Sequence, residues 1–182
     1  MRIILALLFA LSGLALGVGQ GVRQAQGDVT IKVLIEGKGP ITIKLFTKDA
    51  PKATSRILQL VRTGFYDGQR FFRVSRTPKP YIAQVGDPGS KNGVDDPSLG
   101  SYSTGIRIPY EDSGHSNEKY AVGLAAPLSK DRDSGDCQFY IVLGDGSRFL
   151  DGSYTVFGKV VAGFDVVDRL EKGDKISSVT VG

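Results

Sequence analysis

Apolar and polar residues alternate from Val29 onward, with Val29, Ile31, Val33 and Ile35 on one face. The Glu36-Gly37-Lys38-Gly39-Pro40 stretch interrupts the alternation and Ile41, Ile43 and Leu45 resume it, a spacing that predicts a β-hairpin. The period then changes. Asp49-Ala50-Pro51 reads as a helix start, because proline is tolerated in a first turn whose N–H groups lack partners, and Ala53, Ile57, Leu60 and Val61 recur at helical spacing until Gly64 ends the run. Short apolar runs follow over 71–74, 81–85, 120–125, 138–143 and 155–161, separated by loops rich in Gly, Pro, Asp and Ser, which favours a sandwich or a barrel. A second short helix is expected over 164–171, where Val166, Val167 and Leu170 line one side before Gly173, and a last strand over 176–181. The irregular stretch from Gly86 to about Lys119 is too long for a passive connection, so it should pack on the body or border a site.

Composition adds limits. The 182 residues make one domain, and 24 glycines, well above the average share, promise many turns without a collagen-like period. A net charge of +4 implies no particular partner. The single cysteine, Cys137, excludes an internal disulfide framework and a multi-cysteine metal site, and the single histidine, His115, leaves one histidine base, which removes most hydrolase mechanisms. Met1-Arg2 precedes an uncharged apolar run over 3–18, with Ala15 and Gly17 as small residues before a cut after Gly17, so 1–17 reads as a secretory signal peptide and 18–28 as a flexible N-terminal segment. A membrane anchor is the rival reading, because the uncharged stretch over 3–20 approaches the ~20 residues a spanning helix needs. The exported protein is therefore expected in a periplasm or outside the cell, touching a membrane only if that segment stays uncleaved. In such an oxidising compartment Cys137 has no partner within the chain and is expected as a buried small hydrophobe.

At Gly64-Phe65-Tyr66-Asp67-Gly68, followed by Phe71-Phe72-Arg73-Val74 and Gln84-Val85-Gly86-Asp87-Pro88, the chain resembles the cyclophilin-type peptidyl-prolyl isomerases. Asp136-Cys137-Gln138-Phe139-Tyr140-Ile141 is similar to the family's Gly-Ser-Gln-Phe-Phe-Ile strand. Phe149-Leu150-Asp151-Gly152, with Tyr154 to Val160, resembles its Trp-Leu-Asp-Gly and Val-Phe-Gly-Lys-Val segment. The blocks occur in the family's order and span 29–182, the expected isomerase domain. The resemblance implies a mainly β fold, a closed eight-stranded antiparallel barrel capped by two α-helices. It also implies cis-trans isomerisation of Xaa-Pro bonds, here in exported proteins that are folding, by a monomer without cofactor or metal.

Position by position, the resemblance makes Arg73 the catalytic arginine and Gln84 the glutamine beside it. Tyr81, Ile82, Tyr140 and Leu150 match the family's apolar substrate pocket, and Ala125 and Ala126 its peptide-binding backbone. Phe149 stands where the family has tryptophan and Tyr154 where it has histidine, and Ala126 replaces an asparagine. Without an indole N–H at Phe149, weak binding of cyclosporin-type macrocycles is expected. On pattern alone Tyr140 and Leu150 read equally well as core. The departures keep a second reading open, a weakly active or inactive barrel that binds proline-containing peptides as a chaperone or scaffold.

Other clusters weigh less. Arg70, Arg73, Arg76 and Lys79 interleave with Phe71, Phe72 and Tyr81, but export and the low net charge speak against nucleic acid. Asp131, Asp133 and Asp136 lack the glycine position and closing glutamate of a calcium loop and read as a solvated loop. His115 lies in a polar loop and is expected exposed. The turn from Ser75 to Pro80 is longer than the family's and carries Arg76, Lys79 and two prolines, which predicts a stiff basic rim beside the pocket that would favour acidic residues near the substrate proline.

Overall fold

A computed structural model describes residues 29–79, 81–127, 131–145 and 147–182. The signal segment, its cut after Gly17 and the segment 18–28 lie outside the described residues. The hairpin forms from β1 (Thr30–Ile35) and β2 (Gly39–Leu45), paired antiparallel from Thr30 opposite Lys44 to Ile35 opposite Gly39. Further strands are β3 (Arg73–Val74), β4 (Ile82–Val85), β5 (Ala121–Leu124), β6 (Phe139–Val142), β7 (Val156–Ala162) and β8 (Ile176–Val181), all close to where the apolar runs place them.

One antiparallel sheet holds all eight, in the order β3-β4-β6-β5-β7-β2-β1-β8. It is a curled half-barrel, which corrects the expected closed barrel. β3 is two residues long and does not pair with β8. The chain ahead of β3 meets the chain entering β8 instead, through Gly68 N–H to Ile176 O (2.8 Å), Phe71 N–H to Asp174 O (2.9 Å) and a bridge between Arg70 and Lys175. The concave face encloses the main core, in which Ile31, Ile41, Ile43, Phe71, Phe139, Ile141 and Phe157 are fully buried.

Helix α1 (Pro51–Arg62) covers this core with Ala53, Ile57, Leu60 and Val61, the residues its period selects. Its first turn has no acid of its own. Glu111, from the long irregular stretch, accepts from the N–H groups of Lys52 (3.0 Å) and Ala53 (2.9 Å) and supplies the negative charge that a helix N-terminus favours. Gly64, at φ 66°, ends the helix: its N–H reaches Val61 O, and Phe65 N–H reaches Leu60 O. The second helix, α2 (Phe164–Asp168), is shorter than its pattern suggests. Arg76 Nη2 donates to Val167 O and Leu170 O, both at 3.0 Å, and takes up carbonyls near its end.

That contact also corrects the basic rim. Arg76 is only partly exposed and is spent on α2, leaving Lys79 as the exposed cation of that turn. Asp136 corrects the solvated acidic loop: it is fully buried, paired with Arg56 at 2.7 Å and bonded by Ser103 and Thr104. Asp131, by contrast, pairs with Arg107 at the surface. Cys137 is buried, and burial pushes its thiol pKa up to about 12, so it behaves as a small hydrophobe. His115 is exposed, stacked on Phe46 at 3.8 Å with Nε2 2.9 Å from Asp49. Among the described residues no helix is long and apolar enough to cross a membrane.

Candidate functional site

Alternation within the strands builds the site. On β4, Ala83 and Val85 enter the main core, so Ile82 and Gln84 must face the convex side; on β6, Phe139 and Ile141 point in while Tyr140 and Val142 point out. Register brings two of these outward residues, Gln84 and Tyr140, into one row with residues of the adjacent strands. Arg73 lies opposite Gln84, Gln84 opposite Tyr140, and Tyr140 opposite Gly123 of β5. Directly opposite residues share a face. A second, smaller apolar cluster forms there from Ile82, Ala125, Tyr140, Val142, Leu150 and Val156, with Tyr81 and Tyr154 packed on its edge.

This cluster floors a cavity of about 280 Å³. Nine of the ten residues singled out from the sequence line it: Arg73, Tyr81, Ile82, Gln84, Ala125, Ala126, Tyr140, Leu150 and Tyr154. Phe149 does not. It is 69% exposed, stacked on Tyr81 at 5.3 Å, and belongs to an adjoining hollow. The displacement follows from local geometry, because a short 3₁₀ turn over Ser147–Leu150 sends consecutive side chains to different sides, and Leu150 takes the inward place.

The polar groups are held by neighbours. Gln84 Nε2 donates to Gln138 Oε1 at 2.9 Å, and Gln138 Nε2 donates to Gly100 O (3.0 Å) and Tyr102 O (2.9 Å). Tyr140 is 2% exposed, and its hydroxyl donates to Asn117 Oδ1 at 2.7 Å. Asn117 in turn gives both its backbone N–H and its Nδ2 to Asp151 Oδ1, each at 2.7 Å. Space for the phenol exists because residue 123 is glycine: a Cβ there would collide with the Tyr140 ring and hydroxyl. Burial pushes the Tyr140 phenol well above the ordinary tyrosine range. Burial also raises the Tyr81 phenol, opposed by the nearby Arg73 cation. Burial would raise the Asp151 carboxyl, but the hydrogen bonds of Asn117 and Ser116 and the Arg148 cation together outweigh it and leave its pKa lowered.

Arg73 is exposed, with its guanidinium carbon 5.7 Å from the Tyr81 ring centroid, and among the described residues no carboxylate neutralises it. Ala125 N–H still belongs to the sheet through Gln138 O (2.9 Å). The chain leaves the sheet at Ala126, whose N–H and C=O take no partner among the described residues. The arrangement offers one unpaired cation, one oriented amide, open backbone and an apolar floor, and among the described residues that line it no nucleophile stands beside a base.

Phe72, Leu99, Gly100 and Pro127 also line the cavity, and Asn117, Gln138 and Asp151 support it; none was singled out as a site residue from the sequence. Leu99 and Gly100 come from the irregular stretch, held by Asp87 accepting from Gly100 N–H at 2.8 Å, so the expectation that this stretch borders a site holds. Its length was the available signal. Asn117 carries none in a polar loop.

A family model described as cyclophilin type peptidyl-prolyl cis-trans isomerase/CLD matches residues 30–181. A peptidyl-prolyl cis-trans isomerase of Helicobacter pylori is 37% identical over 144 residues, covering 78% of this chain and 80% of that protein. A probable peptidyl-prolyl cis-trans isomerase of Brucella suis is 34% identical over 186 aligned positions, covering 100% of this chain and 92% of that protein. Among solved structures, a cyclophilin type isomerase of Cryptosporidium parvum, crystallised in the presence of the dipeptide Ala-Pro, superposes with a TM-score of 0.70 at 21% identity, covering 84% of this chain and 98% of that one.

Proposed function

This chain belongs to the cyclophilin-type peptidyl-prolyl cis-trans isomerase family and is an isomerase of that type, and from that premise we propose that it turns over Xaa-Pro bonds of exported polypeptides in the cavity floored by Tyr140. The observation that carries the reading is the cross-strand row of Arg73, Gln84 and Tyr140 facing one apolar cavity. The Ala-Pro dipeptide present with the Cryptosporidium parvum neighbour supports a proline-containing ligand. The apolar run over 3–18 supports export, with action in a periplasm or outside the cell.

Rotation about an Xaa-Pro bond must break amide resonance, a barrier of about 18–20 kcal/mol. In the twisted transition state the prolyl nitrogen becomes pyramidal and regains its lone pair. Arg73 donates to that lone pair, an interaction the planar ground state lacks, and so binds the transition state preferentially. The planar amide is the more dipolar form, so an apolar wall of Ile82, Tyr140 and Leu150 favours the twisted one. Gln84, oriented by Gln138, and the open backbone at Ala126 hold the flanking peptide. An acceleration of about 10⁵ needs about 7 kcal/mol, and one charged hydrogen bond contributes roughly 1.5–3 of it, so positioning and the apolar wall must provide the rest.

The test is an isomerisation assay on proline peptides with wild type beside Arg73→Ala. Expected is turnover by wild type and a loss of at least about 10-fold in kcat/KM, about 1.4 kcal/mol, in a variant with an unchanged unfolding midpoint. Binding of the peptides by wild type without turnover would favour the chaperone or scaffold reading.

A further inference from the structure

We propose that the hollow beside the proline cavity is a second subsite, and that it selects substrates carrying an aromatic side chain next to the proline. The inference rests on the isomerase reading and adds a substrate class to it. The hollow measures about 450 Å³ and shares Tyr81, Ala126, Leu150 and Tyr154 with the proline cavity. Neighbouring residues of a peptide lie about 3.8 Å apart at Cα, so a proline seated in one space presents an adjacent side chain to the other.

The lining states what it fits. Phe149 and Tyr81 stack at 5.3 Å with 29° between their planes, and Phe149 keeps 69% of its surface exposed. Such a platform gains by being covered with another ring, whose offset stacking adds to the area removed from water. Across the hollow stands Arg132. Its Nη1 donates to Gly152 O at 3.2 Å and its guanidinium sits 4.5 Å from the Tyr110 ring centroid, which fixes the group in place. Neither flanking acid is spent on it: Asp131 pairs with Arg107, and Asp133 accepts from Tyr110 N–H. Among the described residues Arg132 has no carboxylate partner.

A cation near an aromatic face is attracted by the ring's quadrupole. An acidic side chain could reach the same guanidinium, but Arg132 is exposed and its charge is screened by salt, whereas the ring platform is not. Alanine or glycine would leave Phe149 in water. Arg132 opens a short 3₁₀ turn over Arg132–Ser134, on a different segment from the turn that carries Phe149, and the fold brings the two to one hollow.

The experiment measures isomerisation by NMR exchange on two peptide series, Ala-Ala-Xaa-Pro-Ala-Ala and Ala-Ala-Ala-Pro-Xaa-Ala, with Xaa alanine, phenylalanine or glutamate. On one flank the phenylalanine peptide should exceed the alanine peptide by at least about 5-fold in kcat/KM. Phe149→Ser should bring that ratio below about 2, and Arg132→Gln should lower it partway. Equal turnover of alanine and phenylalanine peptides on both flanks, a preference for glutamate, or a phenylalanine preference that survives Phe149→Ser overturns the subsite while leaving the isomerase reading intact. If no peptide is turned over, the isomerase reading fails. The subsite is then read from peptide affinity by chemical-shift titration, where phenylalanine must still bind tighter than alanine and lose that advantage in Phe149→Ser, or the proposal falls.

Discussion

The two faces of β4 and β6 come from alternate residues of the same short strands, and burial hardly separates them: Ile141 on the concave side is 1% exposed and Tyr140 on the convex side 2%. Their neighbours do separate them. Ile141, Phe139 and Val85 meet other side chains from every direction, and their worth is packing. Tyr140, Ile82 and Gln84 are packed from below and open to a cavity above, and the polar ones are bonded sideways, to Asn117 and to Gln138. A buried residue is therefore core or site floor according to what lies on its far side. A value of exposure cannot tell the two apart.

Substitutions on the two faces should part stability from turnover. The largest expected effect is Phe139→Ala on the concave face, a loss of about 3–5 kcal/mol in urea unfolding, with turnover falling only as the folded fraction falls. Tyr140→Phe on the convex face should cost less, about 1–3 kcal/mol, because it leaves the buried Asn117 Oδ1 without its donor. In that variant kcat/KM should fall several-fold in protein that is still folded, measured beside the unfolding curve. Equal effects of the two substitutions on both quantities would erase the distinction between the faces.

Outside the floor, Phe149→Trp should leave the unfolding midpoint unchanged, since the side chain is mostly in water. It should tighten a cyclosporin-type macrocycle by up to about 1–3 kcal/mol through the indole N–H that phenylalanine lacks, read by inhibition of the isomerase assay.

The smallest effect is that of pH. The Tyr81 and Tyr140 phenols are raised, so both stay protonated, and kcat/KM should be level from about pH 6 to about pH 9. On the acid side the Asp151 carboxyl, depressed in the folded state, adds stability that is present above its unfolded value of about 3.9 and lost as pH falls through the folded one. Unfolding curves and turnover measured together should both decline only below about pH 4, as the Asp151–Asn117–Tyr140 chain loses its anion.

The sequence by itself determined the elements and the chemistry. Strand positions and the buried face of α1 follow from apolar periodicity, a local property that survives whatever the strands pair with. Arg73 and Gln84 were legible because the family's blocks surround them in order. The tertiary structure alone decided how these pieces meet. Whether the sheet closes depends on how many residues β3 retains at its edge, and no period encodes that. Phe149 left the proline cavity because, in one turn of 3₁₀ helix, Ser147 and Leu150 take the inward places and Phe149 is turned to solvent. Arg76 and Asp136 look like surface charges in sequence, but their partners, the end of α2 and Arg56, lie about 80 or more residues away. Asn117 holds Tyr140 across 23 residues of chain through a hydroxyl that a phenylalanine in the same strand would lack. Polar partners of this kind are chosen by distance in space, and a chain read in one dimension carries no measure of it.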